Sequence, residues 1–146
     1  MKIEVEDTKE IFQVDPRDFV IDETAIDAEL CKLGATMLEY GSMEGRLQVE
    51  VEQKKALLDK LWAEMDTGIR AKWVADTSKD KIKLTEGQIK SLITGSVAYQ
   101  EQFQSLTKSN KNYNLAKAAM KSLSAKRDCL ISLSYRDRQL MKADQF

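Results

Sequence analysis

Residues 26–65 read IDAELCKLGATMLEYGSMEGRLQVEVEQKKALLDKLWAEM, and the spacing of their apolar side chains decides the fold. Ile26, Leu30, Leu33, Met37, Tyr40, Leu47, Val51, Leu58, Leu61 and Met65 fall at alternating steps of four and three, with only Glu44 and Lys54 interrupting the seam. An apolar repeat of 3.5 residues held for this long predicts a helix in left-handed supercoil with another helix. From about residue 23 to residue 67 it spans roughly 65 Å at 1.5 Å per residue. One amphipathic helix of that length cannot bury its own stripe, so the pattern demands a partner. Gly34, Gly41 and Gly45 each cost about 1 kcal/mol against Ala inside a helix, which predicts bending or close helix approach there. Asp22 reads as the N-cap with Glu23 in the first turn, so the long helix is assigned to residues 22–74. Gly68 is a reasonable stop, although Ile69 and Trp73 extend the pattern by a further turn.

Working outward, residues 75–84 are polar and read as a connector. Thr85-Glu86-Gly87-Gln88 matches the capping box, and a short helix over 85–94 carries Ile89, Leu92 and Ile93. Ser96 opens a second long helix, residues 96–142, in which Tyr99, Phe103, Leu106, Asn110 and Tyr113 keep the same spacing. After a three-residue stammer, Ala116, Met120, Leu123, Arg127, Leu130 and Ser134 continue it. Polar Asn110 and Arg127 on the seam fix register at some cost in stability. Upstream, residues 1–21 lack helix signals; Pro16 biases Asp15 toward extended backbone, and Val5, Ile11, Phe12, Val14 and Phe19 suit a docked, extended arm. The expected fold is therefore all-α: one helical domain over residues 1–146, a long antiparallel, coiled-coil-like hairpin with a short connecting helix and an extended acidic N-terminal arm. Its thin core calls for oligomerisation.

Charge is segregated along this plan. Residues 1–52 hold 5 Lys/Arg against 14 Asp/Glu, residues 53–94 hold 9 against 6, and residues 95–146 hold 9 against 4, although the whole chain is at −1. An acidic arm beside a basic body suits pairing between subunits or control of polyanion binding. The 146 residues include no His and two distant cysteines, Cys31 and Cys129. The sequence therefore carries no His-based triad, His metal site or Cys-x-x-Cys motif. The two cysteines read as buried thiols of a reducing cytosol, the acidic start is unlike a secretory signal, and no apolar run is long enough to span a bilayer. Carboxylates such as Glu50, Glu52, Asp59, Glu64 and Asp66 fall where a helix exposes them, and no phosphate loop or nucleophile–base pair is evident. The reading is a non-enzyme without metal or cofactor, cytoplasmic in location.

Basic residues interleaved with an aromatic offer more. Lys54, Lys55 and Lys60 project from the first helix, Arg70, Lys72 and Trp73 lie near its end, and Lys79, Lys81 and Lys83 occupy the connector. Cations along the phosphates and a ring for a base to stack on are what single-stranded nucleic acid needs. The competing reading has Trp73 capping the hairpin core while the lysines solvate the loop. A second series, Lys108, Lys111, Lys117, Lys121 and Lys126, lies on the last helix and either lines a nucleic-acid groove or pairs with the acidic first helix.

Phe19-Val20-Ile21-Asp22-Glu23-Thr24 before the long helix, Gln53-Lys54-Lys55-Ala56-Leu57 leading to Lys60-Leu61, Leu84-Thr85-Glu86 with Ile89-Lys90, and Leu115-Ala116-Lys117-Ala118-Ala119 running to Ala125-Lys126-Arg127 and Leu130 follow in a distinctive order. Taken together the chain resembles the UvsY-like family of phage recombination mediators, over about residues 19–135. The resemblance implies a ring-like homo-oligomer that binds single-stranded DNA and helps a RecA-like recombinase load onto strands coated by single-strand-binding protein, in the host cytoplasm if phage-encoded. It places the family's basic stretch on Lys54, Lys55 and Lys60, with Leu58 and Asp59 where the family can be basic. The alternative is a structural or chaperone-like helical-hairpin assembly protein with no nucleic-acid role.

Overall fold

The computed structural model describes residues 1–5, 9–75 and 84–146. In chain order it contains β1 (Lys2–Val5), β2 (Glu10–Gln13), a 3-10 turn (Pro16–Phe19), α1 (Ile26–Ala75), α2 (Glu86–Thr94) and α3 (Val97–Ala143). The fold is all-α, with α1 and α3 packed as a hairpin. The chain divides into two compact units, Met1–Gln48 with Lys111–Phe146, and Val49–Asn110.

In the first unit the predicted α1 seam is the observed one: Ile26, Leu33, Tyr40 and Leu47 are buried, and Leu30 and Met37 pack against them. The helix starts at Ile26 rather than at residue 22. The Asp22 carboxylate accepts from Thr24 N at 2.9 Å and from Thr24 Oγ1 at 2.6 Å, closing a turn of its own. The first helical bond runs from Glu29 N to the Ala25 carbonyl at 2.9 Å. Asp22 therefore caps a turn ahead of the helix, an arrangement open to any Asx residue with a hydroxyl two positions on.

The arm is not simply extended. β1 and β2 pair antiparallel, Ile3 opposite Phe12 and Glu4 opposite Ile11. Cross-strand partners share a face, so this register turns Ile3 and Phe12 together toward the core; Ile3 is fully buried there. Pro16 acts as the sequence predicts: Asp15 is extended (φ −91°, ψ 117°) and its carboxylate accepts from Arg17 N at 2.9 Å to open the 3-10 turn. The arm docks within its own unit. Tyr40 Oη donates to Asp18 Oδ2 at 2.9 Å and accepts from Asp15 N at 3.3 Å. Phe12 and Phe19 meet the Tyr40 ring edge-on, at centroid distances of 5.0 and 5.8 Å. Burial, with the Asp18 carboxylate accepting the phenolic proton, pushes the Tyr40 hydroxyl up to about 12.

On α3 the predicted seam holds at Ala116, Leu123 and Leu130 and shifts by one residue at two turns, to Ala119 beside Met120 and to Lys126 beside Arg127. Ala116, Ala119, Leu123 and Leu130 are buried in the core, and Lys126 rather than Arg127 is the buried cation of that turn. Lys126 Nζ donates to the Asp18 carbonyl at 2.9 Å and pairs with Glu29 Oε2 at 2.6 Å, so one ammonium ties the turn, α1 and α3 together. Arg127 points out and pairs with its neighbour Asp128. A hydrophobicity pattern treats both as equivalent cations; the Asp18 carbonyl of the docked arm and Glu29 of α1 together select Lys126. Cys31 and Cys129, read from the sequence as buried, are both exposed, because each falls off the seam of its helix.

In the second unit α1 continues through Gly68 to Ala75. Val51 and Leu58 are buried, and Leu61, Trp62, Met65, Ile69 and Trp73 are half-buried, which is the extension that Ile69 and Trp73 foreshadow. Ile89 and Ile93 of α2 and Leu106 of α3 are its other buried apolar residues. α2 begins with the predicted capping box: Thr85 Oγ1 accepts from Gln88 N at 3.2 Å, and Thr85 N donates to Gln88 Oε1 at 2.9 Å. Thr85→Ala should lower stability by about 1 kcal/mol in urea unfolding, within the 0.5–2 kcal/mol range of such caps; an unchanged midpoint would mean that the nine-residue helix is held by Ile89 and Ile93 alone. Glu50, expected on an exposed face, is instead buried with Lys54 and Ser109. Ser109 Oγ donates to Glu50 Oε1 at 2.5 Å, Lys54 Nζ donates to Ser109 Oγ at 2.8 Å, and Lys54 Nζ lies 3.2 Å from Glu50 Oε1.

Candidate nucleic-acid interface

The nine residues singled out in the sequence are not equivalent once placed. Lys79, Lys81 and Lys83 lie outside the described residues. Lys54 faces inward, its side chain 11% exposed and its ammonium on Glu50 and Ser109. That geometry corrects its assignment to a phosphate-facing surface, because a cation paired in the core is not offered to a polyanion. Arg70 is exposed but committed: its Nη2 donates to both Glu86 oxygens at 2.8 Å, and its Nε reaches Asp66 at 3.1 Å. Those carboxylates raise the guanidinium's pKa, Glu86 most, and brace α1 against the start of α2. Lys55, Lys60 and Lys72 are exposed on α1, with Lys60 only loosely near Glu64 at 3.8 Å. Trp73 is half-buried one residue beyond Lys72.

An aromatic surface that the sequence reading assigned to the core lies in the same unit. Tyr99 meets Trp62 edge-on at 5.7 Å and stacks on Phe103 at 6.2 Å with an interplanar angle of 16°. The outermost ring, Phe103, is 52% exposed, although its spacing puts it on the α3 seam. Thr94, Tyr99, Gln100, Phe103 and Gln104 line a groove of about 340 Å³ there. An open ring flanked by two glutamines offers a stacking face with donors and acceptors at its rim. The signal is present as two aromatics, Tyr99 and Phe103, on seam positions, but periodicity cannot tell a buried ring from one left at the edge.

Of the second basic series, Lys126 does what the alternative reading anticipated and pairs with acidic Glu29 of α1. Lys111, Lys117 and Lys121 are exposed on α3, and Lys117 sits over the Tyr113 ring at 5.6 Å. Residues 102–127 contain no Asp or Glu, so this length of α3 is uniformly basic. In the first unit a cleft of about 300 Å³ is lined by Asp15, Asp18 and Glu29 against Arg17, Lys32 and Lys126. Its charges largely cancel, and it offers no net attraction for an ion.

Among the described residues no group of three or more His, Cys, Asp or Glu is placed to hold a metal ion, and no helix is long and apolar enough to cross a membrane. No protein-family model matches the chain, and comparisons with curated proteins and with solved structures find no match.

Proposed function

We propose that the chain is a single-stranded DNA-binding recombination mediator that works as a ring-like homo-oligomer and assists a RecA-like recombinase on strands coated by single-strand-binding protein. The observation that carries this reading is the open Phe103 ring, stacked on Tyr99 in a groove rimmed by Gln100 and Gln104. Base stacking is tolerant of sequence, and exposed Lys55, Lys60 and Lys72 on α1, in the same unit as Phe103, supply the cations that a phosphate backbone needs. Weak contacts of this kind gain from repetition around an oligomer. The recombinase and the single-strand-binding protein enter through the resemblance alone. A second reading, a helical-hairpin assembly protein, is favoured by the commitment of Lys54 and Arg70 to carboxylates of the chain itself.

A salt titration of binding to fluorescent single-stranded DNA, with duplex competitor, tests the proposal. Phe103→Ala should weaken binding by roughly 5- to 150-fold, the equivalent of ~1–3 kcal/mol for one stacked base. Each lysine that touches a phosphate should, when changed to Ala, shallow the logarithmic salt slope by about 0.7. Absence of binding at low salt, or a Phe103→Ala variant of unchanged affinity, would leave the assembly reading in possession.

A further inference from the structure

Within the first unit, α3 carries a charged face that neither the core nor the Phe103 groove uses. Residues 111–127 contain five Lys/Arg and no Asp or Glu. Lys126 is buried on Glu29 and Arg127 pairs with Asp128, which leaves Lys111, Lys117 and Lys121. All three are exposed, and none forms an ion pair among the described residues, although Arg17 and Arg136 of the same unit are each paired with a nearby carboxylate. Lys117 lies over the Tyr113 ring, 5.6 Å from its centroid, a contact that holds the ammonium without neutralising it. With Asn114, Ala118, Ser122 and Ala125, all exposed, the three lysines recur at steps of three and four residues and so share one side of the helix.

We infer that this face of α3 binds the phosphate backbone of duplex DNA. Uncompensated cations select a polyanion, and the residues between them narrow its class. No large apolar side chain is exposed from residue 111 to residue 130; the apolar side of this stretch is buried in the core as Ala116, Ala119, Leu123 and Leu130. A helix that lies in a membrane surface needs that side free, and a protein interface is built around apolar and aromatic groups at its centre. Phosphate oxygens need neither. They accept from Lys, Ser and Asn side chains, which are the polar types present here, and exposed Ala118 and Ala125 leave room for a backbone to approach. The preference for a duplex follows from what the face lacks, since its one neighbouring ring, Tyr113, is packed against the core. Contacts to phosphate alone gain nothing from an unpaired base, and each releases more counterion from a duplex (about 0.9) than from a single strand (about 0.7). The face differs in kind from the groove at Phe103, and the inference does not depend on the single-strand reading.

The test is fluorescence anisotropy of a labelled, blunt-ended duplex with the full chain, repeated across a salt series. Lys111→Ala, Lys117→Ala and Lys121→Ala should each weaken binding and make the logarithmic salt slope shallower by about 0.9, with helicity by circular dichroism unchanged. Arg136→Ala removes the same charge from the same unit, away from this face, and should leave the slope as it is. Unlabelled duplex should compete far better than poly-glutamate. Absence of duplex binding at low salt, lysine variants with the parental slope, an Arg136→Ala slope as shallow as theirs, or displacement by poly-glutamate at equal charge would overturn the inference, the last in favour of an acidic protein partner. A chain that binds single strand but not duplex would defeat this inference and leave the groove standing; one that binds duplex alone, through these lysines, would do the reverse.

Discussion

Tyr40→Ala should cost the protein about 3–5 kcal/mol in urea unfolding, the range of a buried aromatic truncation, and this is the largest effect expected from any single truncation in the first unit. The residue is 1% exposed. Its ring is the surface on which Phe12 and Phe19 stand, and its hydroxyl holds both Asp15 and Asp18. Removing it therefore detaches the arm as well as opening a cavity. Tyr40→Phe keeps the ring and should cost only about 1–3 kcal/mol, the cost of leaving buried polar groups without their partner. The pH dependence separates the two contributions. The folded protein favours the protonated phenol, with its pKa pushed up to about 12 from 10. The stabilisation is thus complete below pH 10 and is lost as pH rises through 12, by about 2–3 kcal/mol for a two-unit shift. Tyr40→Phe should lose less stability than the parent between those limits. Equal losses would mean that Tyr40 is not the group that titrates.

Much of this core can be read from the sequence because it rests on periodicity. Ile26, Leu33, Tyr40, Leu47, Val51 and Leu58 are buried where the 3.5-residue repeat puts them, and the Thr85–Gln88 capping box forms as its spacing requires. Both are local signals: a helix needs only its own neighbours to set which side chains share a face. What the sequence did not yield depends on contacts between distant segments. The pairing of Lys2–Val5 with Glu10–Gln13 brings Ile3 into the core, and the choice of Lys126 over Arg127 follows from where the docked arm leaves the Asp18 carbonyl. The candidate site divides in the same way. Lysines can be counted in a sequence, but whether a lysine faces solvent or a buried carboxylate is settled by a residue on another helix. Lys54 is engaged because Ser109, 55 positions away, joins it to Glu50. Phe103 is the converse: its seam spacing predicts burial, and the stack on Tyr99 leaves it as the outer ring.

That division makes Lys54→Met the sharpest test of the second unit. The substitution withdraws the cation beside a carboxylate that is 2% exposed, and it should destabilise the protein by about 3–5 kcal/mol, as breaking one side of a buried ion pair does. The cost belongs to the charge left on Glu50, since the methionine fills most of the volume that the lysine stem occupied. Replacing all three polar groups at once, Glu50→Leu with Lys54→Met and Ser109→Ala, removes that charge together with its partners and should recover most of the loss, because apolar replacements of buried pairs are often neutral or better. The triple variant also isolates Lys54 from the nucleic-acid question. It folds without the ammonium, so unchanged affinity and salt slope on single-stranded DNA would confine Lys54 to the core. A slope shallower by about 0.7 would instead place its charge on a phosphate, at the expense of the pairing with Glu50.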